Sequence, residues 1–264
     1  MRPVVKWGLL ERKWSIFWWI VGIGLTIALI VLVYPTFRNQ SQLDSTLNNI
    51  PAAAKSLITD TTDFFSPEGY MSSQWFYLLL PLLLSILTIG MGSSLISKEE
   101  QSGTLELLLS RPVSRGRLLF GKAVVAIVEL AIITVFSIAI TVVCAEAVKL
   151  GISWGRLAEA TSLAALLSLL FGSVAFMLNA MGRAGRLLSL GAATLIAFGS
   201  YLISSLAGVV HWLAWPAKVL PFHYYQPAAV MSGTYNWWYA AAFGGVILVL
   251  GFIAFIGFRR RDIG

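Results

Sequence analysis

The side chains most able to take part in chemistry or in binding are concentrated in residues 98–122. The sequence of this segment is KEEQSGTLELLLSRPVSRGRLLFGK. The first half of this segment alternates acids with leucines. Such a helix lies at a surface, with its carboxylates in water and its leucines against an apolar layer. Pro112 ends the helix because its ring interrupts the hydrogen-bond ladder, and Ser114 is placed to cap the next helix. The pattern predicts a compact element that docks against a partner, with a solvated charged loop as the alternative.

A nucleotide site is the first alternative to consider, because Gly116, Gly121 and Lys122 have the spacing of most of a P-loop. The next residue, Ala123, lacks the hydroxyl that would hold Mg²⁺, and no buried strand precedes the glycine. Bulky residues at 118–120 would also keep the loop away from phosphates. We therefore predict that this chain binds no ATP, and that any ATPase is a separate polypeptide.

A second alternative is an intramembrane metalloprotease, which the paired acids Glu99 and Glu100 would suggest. Such a site needs histidine ligands within the membrane. The two histidines, His211 and His223, fall in a segment that we assign below to the opposite face. We predict no metal site and no Ser/His/Asp arrangement, so the chain is not expected to be an enzyme.

Glu129 is the one acid well inside an apolar run, about two turns after Lys122. An ionised group at the centre of a bilayer costs about 3 kcal/mol, so such residues usually face a bundle interior or a watery path. One hypothesis is a translocation-path or gating residue. The other, which we favour slightly, is a shallow acid paired with Lys122 or Arg117 at the inner boundary.

The composition shows which kind of fold must position these residues. The chain has 264 residues, of which 58% are hydrophobic and only 12% are charged. Soluble domains have about 25% charged residues, so most of this chain is expected to lie in lipid. The single cysteine, Cys144, excludes an internal disulfide, and nucleic-acid binding is not expected despite the net charge of +7.

Six apolar stretches are long enough to cross a hydrocarbon core of about 30 Å as helices. The predicted spans are 14–34, 74–97, 123–148, 158–181, 187–210 and 237–258. The fold class is therefore an all-α polytopic membrane protein with one domain. Small residues near the end of the second span (Gly90, Gly92, Ser93 and Ser94) indicate close helix packing, for which a dimer interface is one possible location.

The connections differ in charge, and the difference predicts their orientation. Fourteen Lys and Arg residues lie before the first span, in 98–122, between spans four and five, and after the sixth span, against five on the other side. The positive-inside rule places both termini in the cytoplasm. Residues 35–73 and 211–236 are then extracytoplasmic, and residues 1–13 can form an interfacial helix that precedes the first span.

The order of residues in 98–122 resembles the signature of the ABC-2 type transporter permeases. The matching residues are Glu99, Glu100, Gly103, Thr104, Glu106, Leu107, Leu108, Pro112, Ser114, Arg115, Gly121 and Lys122. The C-terminal sequence FRRRDIG, residues 258–264, is similar to the tail of those permeases, and the six-span layout agrees.

The resemblance implies a multi-pass subunit of a bacterial ABC exporter in the cytoplasmic membrane. Its partners would be two copies of a cytoplasmic ATP-binding subunit, which hold the ATP and Mg²⁺, and a second permease copy. Residues 98–122 would contain the cytoplasmic coupling helix. The residues expected to couple the permease to the ATPase are Glu99, Glu100, Gly103, Thr104, Glu106, Leu108, Pro112 and Arg115, and Glu129 is the candidate for the translocation path.

An ATP-independent secondary transporter or channel is the alternative function. A protein of that class is expected to have several charged residues within the membrane and inverted repeats with broken helices. Glu129 is essentially the one candidate charge in this sequence, and we find no repeat. The ABC-type permease is therefore the leading hypothesis.

Overall fold

The computed structural model describes residues 8–38, 51–59, 66–95, 115–182 and 185–260. These residues form helices and short connections, and no strand occurs among them. The six long helices are α1 (Lys13–Arg38), α2 (Pro67–Ser94), α3 (Arg115–Ala147), α4 (Trp154–Ala180), α5 (Arg186–Leu206) and α6 (Trp238–Arg259). All six contain a stretch long and apolar enough to cross a membrane, which confirms the predicted all-α, six-span fold class.

The helix ends are not the membrane boundaries, so the predicted span limits stay predictions. The second helix begins at Pro67 and the third at Arg115, several residues before the predicted spans. A helix of 33 residues such as α3 is about 50 Å long, well beyond the hydrocarbon thickness. At least one end of α3 is therefore expected to extend beyond the hydrocarbon core.

The helices α2 and α4 form the centre of the bundle. In their most apolar windows 67% and 61% of the residues are buried, against 28% or less in the other four helices. The outer helices surround this pair: α1 packs on α3, α5 packs on α2 and α4, and α6 packs on α4 and α3. Exposed leucines, valines and tryptophans on the outer helices face the region that lipid would occupy.

The second helix is irregular near its start. It comprises Pro67–Met71, a π-helical turn at Ser72–Phe76, and Leu79–Ser94. Pro81 contributes to the break, because it has no N–H to donate to the preceding turn. The hydroxyl of Tyr225 donates to the carbonyl of Phe76 at 2.5 Å and so satisfies a backbone group at the break.

Two ends of the bundle can now be distinguished. The N-terminal end is where α1, α3 and α5 begin and where α2, α4 and α6 end; the far end is the other. At the far end α3 and α4 are joined by a tight turn in which Lys149 and Gly151 have φ values of 54° and 73°. Trp154 closes this turn by donating from its Nε1 to Glu146 Oε1 at 2.6 Å.

Candidate functional site

The predicted coupling segment connects the end of α2 to the start of α3, which both lie at the N-terminal end of the bundle. Most of its named residues fall outside the described residues: Glu99, Glu100, Gly103, Thr104, Glu106, Leu108 and Pro112. Arg115 is the first residue of α3. The coupling role of all these residues stays a prediction.

The two described anchors of this segment are held together by a hydrogen bond. Lys122 Nζ, on the second turn of α3, donates to the carbonyl oxygen of Leu95 at 2.5 Å. Leu95 caps the C-terminus of α2, where carbonyl groups lack helical partners and a cation is electrostatically favoured. The end of α2 is therefore tied to α3 across the coupling segment.

An apolar cluster fixes the same region from the other side. Leu119, Ala180, Ala254 and Phe258 are buried together, so the first turns of α3 contact the last turns of α4 and α6. At Gly116 an added Cβ would lie 2.6 Å from Cζ of Phe255, which shows how closely α3 and α6 approach. The start of α3 is thus packed against α4 and α6 and tied to the end of α2.

Residues 116–122 form continuous α-helix within α3, with no loop between the two glycines. A P-loop needs a strand followed by a glycine-rich loop that surrounds the phosphates, which is a different geometry. Among the described residues, no group of three His, Cys, Asp or Glu side chains is placed to hold a metal ion.

The N-terminal segment runs parallel to α3. An added Cβ at Gly8 would lie 3.0 Å from Cγ2 of Val125, and four residues later Arg12 Nη1 lies 3.2 Å from Glu129 Oε2. Further along, Gly24 would contact Ile140 in the same way, at 3.2 Å. The nearly constant offset between contacting residues shows that residues 8–24 follow one face of α3.

Glu129 is completely buried, and 30% of the Arg12 side chain is exposed. Neither carboxylate oxygen of Glu129 has a hydrogen bond to the described part of the chain, so the interaction with Arg12 is an ion pair of 3.2 Å without hydrogen-bond geometry. The predicted pairing with Lys122 or Arg117 was wrong, because Arg12 of the N-terminal segment lies beside Glu129 along the face of α3. The predicted role of Glu129 in translocation stays a hypothesis.

A seam of small and polar residues joins α2 to α4. An added Cβ at Gly92 would lie 2.3 Å from the carbonyl oxygen of Gly172, so the two backbones are in contact. Thr88 Oγ1 donates to the carbonyl of Ser168 at 2.6 Å, and Asn179 Nδ2 donates to the carbonyl of Ser93 at 2.8 Å. Gly92 and Ser93 therefore pack within the chain, against α4.

Aromatic residues cap the far end of the bundle. The connection between α5 and α6 contains short helices at His211–Leu213, Ala214–Ala217, Pro221–Tyr224 and Pro227–Ser232. The N–H of Phe222 donates to Ser200 Oγ at 3.0 Å, and Tyr77 shares a 2.7 Å hydrogen bond with Ser205. Tyr201 donates to the carbonyl of Leu57. These bonds join the connection and helix Ala52–Ile58 to α5, and α5 to α2.

Two structural residues were missed by the sequence prediction. Arg12 was counted only as a topology signal, although a lone acid within a span demands a cation and Arg12 was available. Asn179 was overlooked in the fourth span, although a buried amide within a span requires partners. In both cases the signal was a polar side chain within a predicted span, Glu129 in the first case and Asn179 in the second.

One comparison with known proteins identifies a relationship. A family model described as ABC-2 family transporter protein matches residues 16–263, which include α2 to α6 and all but the first three residues of α1. A search of curated proteins found no match.

Proposed function

The chain belongs to the ABC-2 family of transporter proteins, and is thus the membrane permease of an ABC transporter; we propose that it exports its substrate with energy from ATP hydrolysed by a separate subunit. The observation that carries this proposal is the family match over residues 16–263, nearly the whole chain. In this proposal the bundle of six helices forms the path for the substrate, and the separate ATPase supplies the energy.

The proposed assembly contains two permease copies and two ATP-binding subunits, which hold the ATP and Mg²⁺. Both termini and residues 98–122 would lie in the cytoplasm, as the distribution of Lys and Arg favours. The bacterial cytoplasmic membrane is the proposed location. This orientation brings the coupling segment to the side where ATP is available.

The proposed mechanism has two states. Nucleotide binding would move the ATP-binding subunits against the segment 98–122, and this movement would favour one arrangement of the helices over the other. The contacts that support it are the Lys122–Leu95 hydrogen bond and the buried cluster of Leu119, Ala254 and Phe258. They connect the start of α3, which follows the proposed coupling segment, to α2, α4 and α6.

Cross-linking tests the proposed coupling surface. In a Cys144→Ser background, which removes the single native cysteine, Glu100→Cys and Glu106→Cys are expected to cross-link to the ATP-binding subunit in the assembled complex. The matched control is Ser232→Cys, an exposed position at the far end of the bundle, which should give no cross-link. The measurement is the appearance of a permease–ATPase band on a denaturing gel.

The same experiment can contradict the proposal. If an assembled complex that hydrolyses ATP gives no cross-link at any position between 99 and 112, the coupling surface lies elsewhere. If Ser232→Cys reacts with the ATP-binding subunit, the proposed orientation is inverted.

A further inference from the structure

A pocket of about 320 Å³ opens at the far end of the bundle, between the start of α4 and the connection from α5 to α6. This volume is at the lower end of the range for small-molecule sites. The side chains that face it include two charges and two aromatic rings: Arg156, Glu159, Tyr235 and Trp237. None of these residues belongs to the coupling surface.

Two opposite charges line this pocket without neutralising each other. Arg156 and Glu159 are three residues apart on α4, a spacing at which Arg and Glu can form an ion pair. Neither forms an ion pair or a hydrogen bond with any other residue that the structure describes. Both charges are therefore available to a ligand that has a group of each sign.

The guanidinium of Arg156 extends towards the other wall of the pocket. Its Nη2 atom would be 3.7 Å from a Cβ placed on Gly233. Gly233 has a φ of 78° and ends the helix Pro227–Ser232 in the left-handed conformation, which glycine adopts without strain. The connection thus turns close to Arg156, and both Gly233 and Arg156 line the pocket.

The aromatic wall is held rigidly. Tyr235 is buried, and its ring meets that of Trp237 edge to face, with the centroids 5.3 Å apart. The Tyr235 hydroxyl donates to the carbonyl of Tyr224 at 3.0 Å, and burial together with neighbouring Tyr239 raises the pKa of Tyr235 to about 12. The neutral rings offer electron-rich faces, which attract a cation such as an alkylammonium group.

The pocket lies at the level where lipid headgroups are expected. Trp154 is 61% exposed and Trp238 is 80% exposed, and both stand beside pocket residues at the ends of membrane-length helices. Exposed tryptophans at such positions mark the interface between hydrocarbon and water. The molecules that reach the pocket most readily are therefore the surrounding lipids.

We propose that this pocket binds the headgroup of a zwitterionic phospholipid, with the phosphate beside Arg156 and the ammonium between Glu159 and the rings of Tyr235 and Trp237. The class of ligand follows from the two uncompensated charges of opposite sign, because an anionic lipid would leave Glu159 without a partner. The site would anchor the connection between α5 and α6 to the membrane.

Lipid competition tests the proposal. The purified permease is equilibrated in detergent with equal amounts of phosphatidylethanolamine and phosphatidylglycerol, and the lipids that remain bound are measured by native mass spectrometry. Phosphatidylethanolamine is expected to be retained preferentially. Glu159→Gln should reduce this preference about tenfold, the effect of losing one hydrogen bond to a charged group. Arg156→Gln should weaken the retention of both lipids, because both contain the phosphate.

The matched control is Lys218→Gln, which removes an exposed cation in the same connection outside the pocket and should keep the preference. Size-exclusion profiles and unfolding temperatures of all variants show whether each one is folded. Equal retention of the two lipids, or loss of preference in Lys218→Gln as well, would overturn the proposal. Displacement of the lipid by soluble O-phosphoethanolamine at equal concentration would also overturn it, because the ligand would then be a free zwitterion.

Discussion

The variant Arg12→Gln is expected to unfold at a temperature about 10 °C below that of the unsubstituted protein. Arg12 forms the ion pair with completely buried Glu129, at 3.2 Å. Removal of one partner leaves a buried charge without a counter-ion, which costs about 3 kcal/mol. For a chain of this size that loss corresponds to about 10 °C. The measurement is the monodisperse fraction that remains after the detergent-solubilised protein is heated.

The control for this variant is the neighbouring cation. Lys13 is exposed, so Lys13→Gln should change the unfolding temperature by less than about 2 °C. The double variant Arg12→Gln/Glu129→Gln should recover part of the loss, because no charge then stays buried. Equal unfolding temperatures for Arg12→Gln and Lys13→Gln would show that the ion pair does not stabilise the permease.

The same variants separate two roles of Glu129. If the double variant assembles and supports transport at the rate of the unsubstituted protein, the carboxylate serves only to hold the N-terminal segment on α3. If its stability recovers while transport falls, the carboxylate itself acts in translocation, as the hypothesis from the sequence states.

The variant Gly92→Ala is expected to lower the unfolding temperature by a similar amount or to prevent recovery of folded protein. A Cβ at this position would lie 2.3 Å from the carbonyl oxygen of Gly172 and 3.0 Å from the backbone nitrogen of Phe176. Backbone atoms cannot move aside as a flexible side chain can, so α2 and α4 must separate. We expect a cost of about 3 kcal/mol, the upper end of the usual range for overpacking.

The chain provides a matched control two residues away. Gly90 lies in the same helix, and a Cβ there would meet nothing within 4 Å. Gly90→Ala should therefore leave the unfolding temperature unchanged or raise it slightly, because alanine favours the helix. The yield of folded protein and its unfolding temperature give the comparison. Similar destabilisation by the two substitutions would contradict the proposed contact between α2 and α4.

The six helices could be predicted from the sequence because each needs only a local property, an apolar run of membrane length. The irregular start of α2, with its π-helical turn at Ser72–Phe76, could not, since a hydrogen bond from Tyr225 in the connection between α5 and α6 supports it. Hydropathy gives the number of helices, whereas tertiary contacts determine their ends.

The packing partners were predictable only in part. Gly90 and Gly92 indicated a close contact, but only the rotation of α2 decides that Gly92 meets α4 while Gly90 has open space. Similarly, the isolation of Glu129 predicted a cation nearby, and the register between the N-terminal segment and α3 selects Arg12. Such choices depend on the relative rotation of two helices, which a single sequence does not specify.

The coupling segment is the reverse case, because the sequence is more informative there than the structure. Its predicted residues from Glu99 to Pro112 lie outside the described part of the chain, and the structure supplies their anchors at Leu95 and Lys122. The pocket at the far end has the opposite origin. Arg156 and Glu159 are far from Tyr235 in the sequence, and residues of these types are common outside binding sites. Only the fold brings the three together.

The most direct test of the central claim is the composition and ATP hydrolysis of the complex that this permease forms. The tagged chain is co-expressed with the candidate ATP-binding subunit, transferred to lipid nanodiscs, weighed by mass photometry and assayed for ATP hydrolysis. We predict two permeases with two ATP-binding subunits, and hydrolysis that is lost when Glu100 and Glu106 are both changed to alanine. A permease that purifies alone and transports its substrate with an ion gradient in the absence of any ATPase would contradict the account.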